Sequence, residues 1–137
     1  MFIEKTDLTK AIRLEEINQI TRNDDLIVNH CMESAIAEIR GYLTKHFDID
    51  TIFGASADSR DKLIVQFAID IAIYNLIAAQ PPGQDTDDRL ERYKRAIKWL
   101  TGVRDGEILS NLPIATPENS ISSRGYYNAP TKRNNDY

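Results

Sequence analysis

The sequence predicts an all-α protein: a compact bundle of three main helices plus short N-terminal helices, with an extended C-terminal arm. Three observations carry this. The stretch from Leu63 to Ala79, LIVQFAIDIAIYNLIAA, is interrupted only by Gln66, Asp70 and Asn75. Two further stretches, Leu26–Phe47 and Leu90–Val103, repeat apolar residues at helical spacing. No stretch alternates apolar and polar residues over a useful length, so strands are not expected. The division follows as a helical domain over 1–112 and a polar arm over 113–137.

The elements are expected in this order. Thr6 can cap a short helix through Asp7, Leu8 and Ile12. A second short run, Glu15 to Ile20, groups Leu14, Ile17 and Ile20. The polar stretch Thr21–Asp24 breaks it, and Asp24 or Asp25 can cap the next helix. That helix, Leu26–Phe47, sets Val28, Cys31, Met32, Ala35, Ile36, Ile39, Tyr42 and Leu43 on one side. His30, Glu33, Ala37, Arg40 and Thr44 lie opposite. Residues 48–55 read as a loop whose Ile52 and Phe53 dock under the helices.

Asp58, Ser59 and Asp61 offer caps for the central helix. Ile64, Phe67, Ala68, Ile71, Tyr74 and Ala78 share one face, and Val65, Ile69, Ala72 and Leu76 cover the other. A helix apolar almost all round is buried and needs neighbours on most sides. A transmembrane reading fits the length poorly, because Asp70 sits near the middle and a carboxylate in lipid is costly. Pro81-Pro82-Gly83 stops the helix. Asp85 with Asp88 resembles a capping box. In the last helix Leu90, Tyr93, Ala96, Ile97, Leu100 and Val103 face inward, while Glu91, Lys94, Arg95 and Lys98 point away. Gly102 or Gly106 can end it, and Glu107–Leu112 is expected to be extended. From Pro113 onward Ser, Asn, Pro, Gly and Thr dominate, and no periodicity there builds a core.

A chain of 137 residues with 42% hydrophobic content suggests one domain with a real core. The net charge of -4 argues against a dedicated nucleic-acid binder. Cys31 is the only cysteine, so no intrachain disulfide forms. FIEKTDLTK has no apolar core of a leader. The expected compartment is a reducing cytoplasm, or an assembly built in one.

Catalytic and metal signals are weak. His30 and Cys31 point to different sides of a helix, and Cys31 lies on the apolar one. His46 stands near a helix C-terminus, where a cation is favoured. No spacing matches a zinc site or a Cys–His pair. Asp48, Asp50 and Gly54 fail as a calcium loop, since Ile52 takes a ligand position and Ser59 stands where the bidentate Glu belongs. Asp85, Asp87 and Asp88 fail likewise. No glycine spacing makes a phosphate loop. Asp70 has no partner acid or base, and reads as an ion pair to a neighbouring helix or a wet edge. The basic run Arg89, Arg92, Lys94, Arg95, Lys98 and Arg104 could meet phosphate. It reads better as a solvated face interleaved with Asp88 and Glu91. No enzyme activity, metal or cofactor is expected.

Five pieces in order resemble a known family: ITRNDD (20–25), AIAEIRGYL (35–43), DIDTIFG (48–54), DIAIYNL (70–76), and RYKRAIKWLTGVRDGEI (92–108) followed by LP. They are similar to the small helical head–tail connectors of long-tailed phages, the Mu-like type of phages and prophages. The resemblance covers residues 5–113, and the tail 114–137 has no counterpart in it. It implies a structural subunit of the virion neck, assembled in the bacterial host cytoplasm. It implies a homo-oligomeric, twelve-fold ring that joins the portal protein to a tail-side neck or terminator protein. DNA would only pass through the lumen, and no membrane or cofactor is involved. The alternative is a small helical DNA-binding regulator using Lys94, Arg95 and Lys98 as an exposed basic face. In the arm, Arg124, Tyr126, Tyr127, Lys132, Arg133 and Tyr137 are the candidate partner contacts.

Overall fold

One helix, α5 (Lys62–Ala78), runs through the middle of the molecule. The computed structural model describes residues 1–79 and 86–116. Asp61 caps α5 by accepting from the backbone N–H groups of Leu63 and Ile64, at 3.0 Å each. Ile64, Ala68, Ile71, Ala72, Ile73 and Leu76 are fully enclosed, and Phe67 is 3% exposed. The expected neighbours are present: α3 (Asp25–Leu43) and α6 (Asp87–Arg104) are its main packing partners. Cys31 lies in that core with Val28, Met32 and Ala35.

The contacts give the helix directions. Phe67 meets Trp99 with ring centroids 5.2 Å apart, and Tyr74 stacks on Tyr93 at 4.4 Å. Rising numbers on α5 meet falling numbers on α6, so the two are antiparallel. Tyr93 donates its hydroxyl hydrogen to Glu38 at 2.9 Å, and the Arg104 guanidinium lies 5.3 Å from the Tyr42 ring centre. Hence α3 runs with α6 and against α5, and Asn75 reaches the Cys31 carbonyl. One end of the bundle gathers the first turns of α3 and α6. The other gathers their last turns and the first turn of α5. The burial on all sides expected of α5 gives way at its ends, where Leu63 is 43% exposed and Ala78 is also exposed.

The N-terminal segment carries α1 (Lys5–Leu8) and α2 (Leu14–Thr21). The cap of α1 is Glu4 and not Thr6, because the Glu4 N–H finds the Asp7 carboxylate at 2.9 Å and places Thr6 inside the helix. On α2, Ile17 is fully buried while Leu14 is 44% exposed, so the expected grouping of Leu14 with Ile17 and Ile20 does not form one buried set. Arg22 and Asn23 both take left-handed backbone, φ 56° and 64°. This reverses the chain, and Asp24 then caps α3 through the Leu26 N–H at 2.9 Å.

Three expected boundaries change. Residues 48–55 are not a loop: α4 (Ile49–Gly54) forms because Asp48 caps it, accepting from both the backbone N–H and the hydroxyl of Thr51. Ile52 is buried there as expected, and Phe53 meets Phe2 edge-on with centroids at 5.0 Å. Helix α3 stops at Leu43, not Phe47, and residues 46–48 turn to meet the chain beyond α6. The Asp48 N–H donates to the Pro113 carbonyl at 2.9 Å, the Ala115 N–H to the His46 carbonyl at 3.1 Å, and Phe47 bridges Ile114. Helix α6 begins at Asp87 with Thr86 as its N-cap. Asp85 and the Pro81-Pro82-Gly83 stop lie outside the described residues.

Helix α6 ends through Gly106, whose φ of +82° suits glycine. The N–H groups of Glu107 and Ile108 both return to the Gly102 carbonyl, at 2.8 and 3.0 Å. Ile108 thereby folds over Gly102, where an added Cβ would sit 2.6 Å from its Cδ1. Residues 107–112 are therefore a folded-back turn and coil rather than the extended run expected. Among the described residues there are six α-helices, one 3-10 turn at Ala57–Ser59 and no strand longer than the single bridge.

A buried ion pair fastens the N-terminus to this frame. Arg60 meets Asp7 with two bonds, Nη1 to Oδ2 at 2.9 Å and Nη2 to Oδ1 at 3.3 Å. The same guanidinium donates to the Phe2 and Ala57 carbonyls, both at 2.9 Å. Four of its five N–H groups meet acceptors, which gives planar arginine its geometric advantage over lysine.

Candidate interaction surfaces

The basic face of α6 follows from its sequence. Ala96, Leu100 and Val103 are buried against the bundle, so Glu91, Lys94, Arg95 and Lys98 project outward, as the spacing predicts. The structure commits most of the positive charge on this helix. Arg89 donates to the Ala11 carbonyl at 3.0 Å, tying α6 to the segment between α1 and α2. Arg92 pairs with Asp88 at 3.4 Å, Lys94 with Glu91 at 3.9 Å, and Arg104 with Asp105 at 3.0 Å. Arg95 leans back to Asp70 at 3.5 Å. Of Lys94, Arg95 and Lys98, only Lys98 has no ion-pair partner among the described residues.

Asp70 itself is 2% exposed. Gln66 donates to its Oδ1 at 3.1 Å, and Arg92 and Arg95 approach at 4.0 and 3.5 Å. The ion-pair reading of this residue is the one the structure holds, and the wet edge is not. Burial pushes its carboxyl above the usual carboxylate range, and Gln66 and the two arginines only partly oppose this. The sign follows. A carboxyl with a raised folded pKa contributes its stability below the unfolded value and loses it as pH rises through the folded one. Asp70→Asn is therefore expected to unfold at higher urea than the parent at neutral pH, with the difference closing in acid. A neutral-pH loss of stability in this variant would show that the arginines outweigh burial.

A second cluster of cations surrounds a cleft of about 450 Å³ beside the N-terminal segment, with Lys10, Arg60, Lys62 and Arg92 on its walls. It is not a free anion site. Arg60 and Lys10 both hold Asp7, and Arg92 is shared between Asp88 and Asp70. Only Lys62 is left. Among the described residues no group of three or more His, Cys, Asp or Glu could hold a metal ion. Burial pushes the Cys31 thiol up, away from the thiolate a nucleophile needs. No helix among the described residues is long and apolar enough to cross a membrane.

The surface features that sequence patterning missed are apolar. Leu109 is 94% exposed, Leu26 76% and Ile114 72%. Leu109, Leu63 and Trp99 line a groove of about 630 Å³ between the first turn of α5 and the chain leaving α6. Their apolar character was visible, but nothing in the periodicity says that they face outward. The arm contacts Arg124, Tyr126, Tyr127, Lys132, Arg133 and Tyr137 lie outside the described residues.

No curated protein and no solved structure matches this chain. A family model does, over residues 2–126. The match runs past the expected limit at 113 and takes in the first part of the arm with Arg124 and Tyr126, so a counterpart for that part exists after all. Tyr127, Lys132, Arg133 and Tyr137 fall beyond it. With the match spanning nearly all of the helical frame, the chain belongs to the bacteriophage protein family described as Bacteriophage Mu, Gp36.

Proposed function

We propose that this phage structural or morphogenesis protein is a subunit of the virion neck, forming an oligomeric ring that joins the head's portal protein to a tail-side neck or terminator protein. The observation that carries the reading is the family match over residues 2–126. The physical form agrees with it. The buried carboxylates Asp7 and Asp70 are held in structural pairs, and several large apolar residues are exposed, where another chain can cover them. The ring would be twelve-fold, as the resemblance implies, with DNA passing through its lumen. The subunits would assemble in the bacterial cytoplasm, without a membrane or cofactor. The DNA-binding alternative draws less support, because most cations of α6 are held by Asp70, Asp88, Glu91, Asp105 or a backbone carbonyl. A strongly salt-dependent affinity for free duplex would favour it instead.

The arm is assigned the role of an assembly element that lies on a neighbouring subunit or another neck protein. Its tyrosines supply contact area at low entropic cost, and Arg124, Lys132 and Arg133 can meet carboxylates. Because Pro113 and Ala115 pair with residues 46–48, the informative truncation removes 117–137 and leaves that pairing intact. The truncated chain should keep its helical content and melting behaviour and fail to support particle assembly. Normal particle yield without the arm would contradict the assignment.

A further inference from the structure

Two exposed apolar features stand at opposite ends of the bundle. On the first turn of α3, Leu26 is 76% exposed and Ile27 41%. At the far end, Leu63, Trp99 and Leu109 line the open groove, with Leu109 94% exposed and Leu63 43%. The separation follows from the helix directions. Since α3 and α5 are antiparallel, the start of one lies beside the end of the other. The 17 residues of α5 hold the two features about 25 Å apart at 1.5 Å per residue. The shapes differ as well. One is a convex helical turn, and the other is concave, walled in part by Trp99, whose ring also meets Phe67.

Charge favours their meeting. Asp24 and Asp25 flank the convex turn, the first capping α3 and the second bonded to Lys5 with its side chain still 70% exposed. Lys62 lines the groove and Lys98 precedes Trp99; neither has an ion-pair partner among the described residues. Asp61 also lines the groove and caps α5 as Asp24 caps α3, so the two cap carboxylates offset each other and the charge difference between the patches is Asp25 against Lys62 and Lys98. Two unlike, complementary patches at opposite ends are what a head-to-tail contact between identical chains requires. Such a contact closes into a ring when the rotation between copies allows it.

We infer that Leu26 and Ile27 of one copy seat in the Leu63–Trp99–Leu109 groove of a second copy of this chain. The inference rests on the ring reading above and names the surfaces that would build it. Leu26→Glu spoils the convex turn and leaves the groove intact, and Leu109→Glu does the reverse. Both side chains are mostly exposed, so both variants should keep the parent's circular dichroism.

The full-length chain and both variants would be weighed by light scattering over a range of concentrations. The parent should grow in mass with concentration, and each variant alone should stay monomeric. An equal mixture of the two variants should pair and stop at two chains, because one intact turn and one intact groove remain between them. Parent-like growth of either variant, or a mixture that does not pair, overturns the inference. A parent that stays monomeric throughout also overturns it. The position of the protein on the phage particle is read by a separate measurement, so the two readings fail independently.

Discussion

Phe67→Ala should lower the unfolding free energy by about 3–5 kcal/mol, the range for emptying a fully buried phenylalanine site. Phe67 is 3% exposed on the helix that both long neighbours pack against, and its ring meets Trp99 at 5.2 Å. Backbone atoms of α5 and α6 fix the spacing around it, so the cavity would collapse only partly. The loss is large against the roughly 5–15 kcal/mol that holds a domain of ordinary stability. The internal control is Leu63→Ala, one turn earlier on the same helix and 43% exposed. That change should cost well under half as much. Urea unfolding of the two variants and the parent decides it. A Phe67→Ala loss below about 1 kcal/mol would mean that α5 is rotated from the orientation described.

Asp7→Asn should cost about 2 kcal/mol at neutral pH, and that cost should fade in acid. Arg60 holds the Asp7 carboxyl down from 3.8 to about 2, opposed by burial and helped by the Glu4 N–H and Lys10. A carboxyl with a lowered folded pKa contributes stability above its unfolded value and loses it as pH falls through the folded one. The difference between parent and variant should therefore be full above about pH 4 and nearly gone by about pH 2. The site is closed enough for this to survive screening, with side chains 8% and 16% exposed for Asp7 and Arg60. Denaturant titrations at several pH values give the measurement. A cost that does not change with pH would place the effect in packing rather than in the ion pair. Asp70→Asn is expected to show the opposite trend, because burial rather than an arginine dominates there.

The two carboxylates mark what could and could not be read from the sequence. Asp70 interrupts an apolar run, so its need for a partner on a neighbouring helix was evident, but Arg92 and Arg95 read as part of a solvated face, and their approach to Asp70 was not legible. Asp7 and Arg60 are 53 positions apart, one in the four-residue α1 and the other just after a 3-10 turn, where no periodicity connects them. The three long helices were legible because Val28, Cys31, Met32, Ile39 and Leu43, or Ala96, Leu100 and Val103, recur at one spacing. Helix α4 was not, because six residues ending in Gly54 give too short a pattern, and its formation rests on the Asp48 cap. The return of residues 113–115 onto 46–48 was invisible for a similar reason: it is made by backbone groups. Leu26 and Leu109 show the remaining limit. Their apolar character is plain in the sequence, but whether such a residue is buried depends on neighbours that periodicity does not name. The family resemblance supplied the functional frame that composition and motif could not.

The central claim is a place, the neck between head and tail. Purified particles carrying an epitope-tagged copy of the protein would be imaged by electron microscopy with tag-directed gold, and the copies per particle counted by quantitative mass spectrometry. The account predicts label confined to the single vertex where the tail attaches, at about a dozen copies per particle, the count of the closed twelve-fold ring that the family resemblance implies. Label spread over the capsid or along the tail, or a mature particle without the protein, would contradict it.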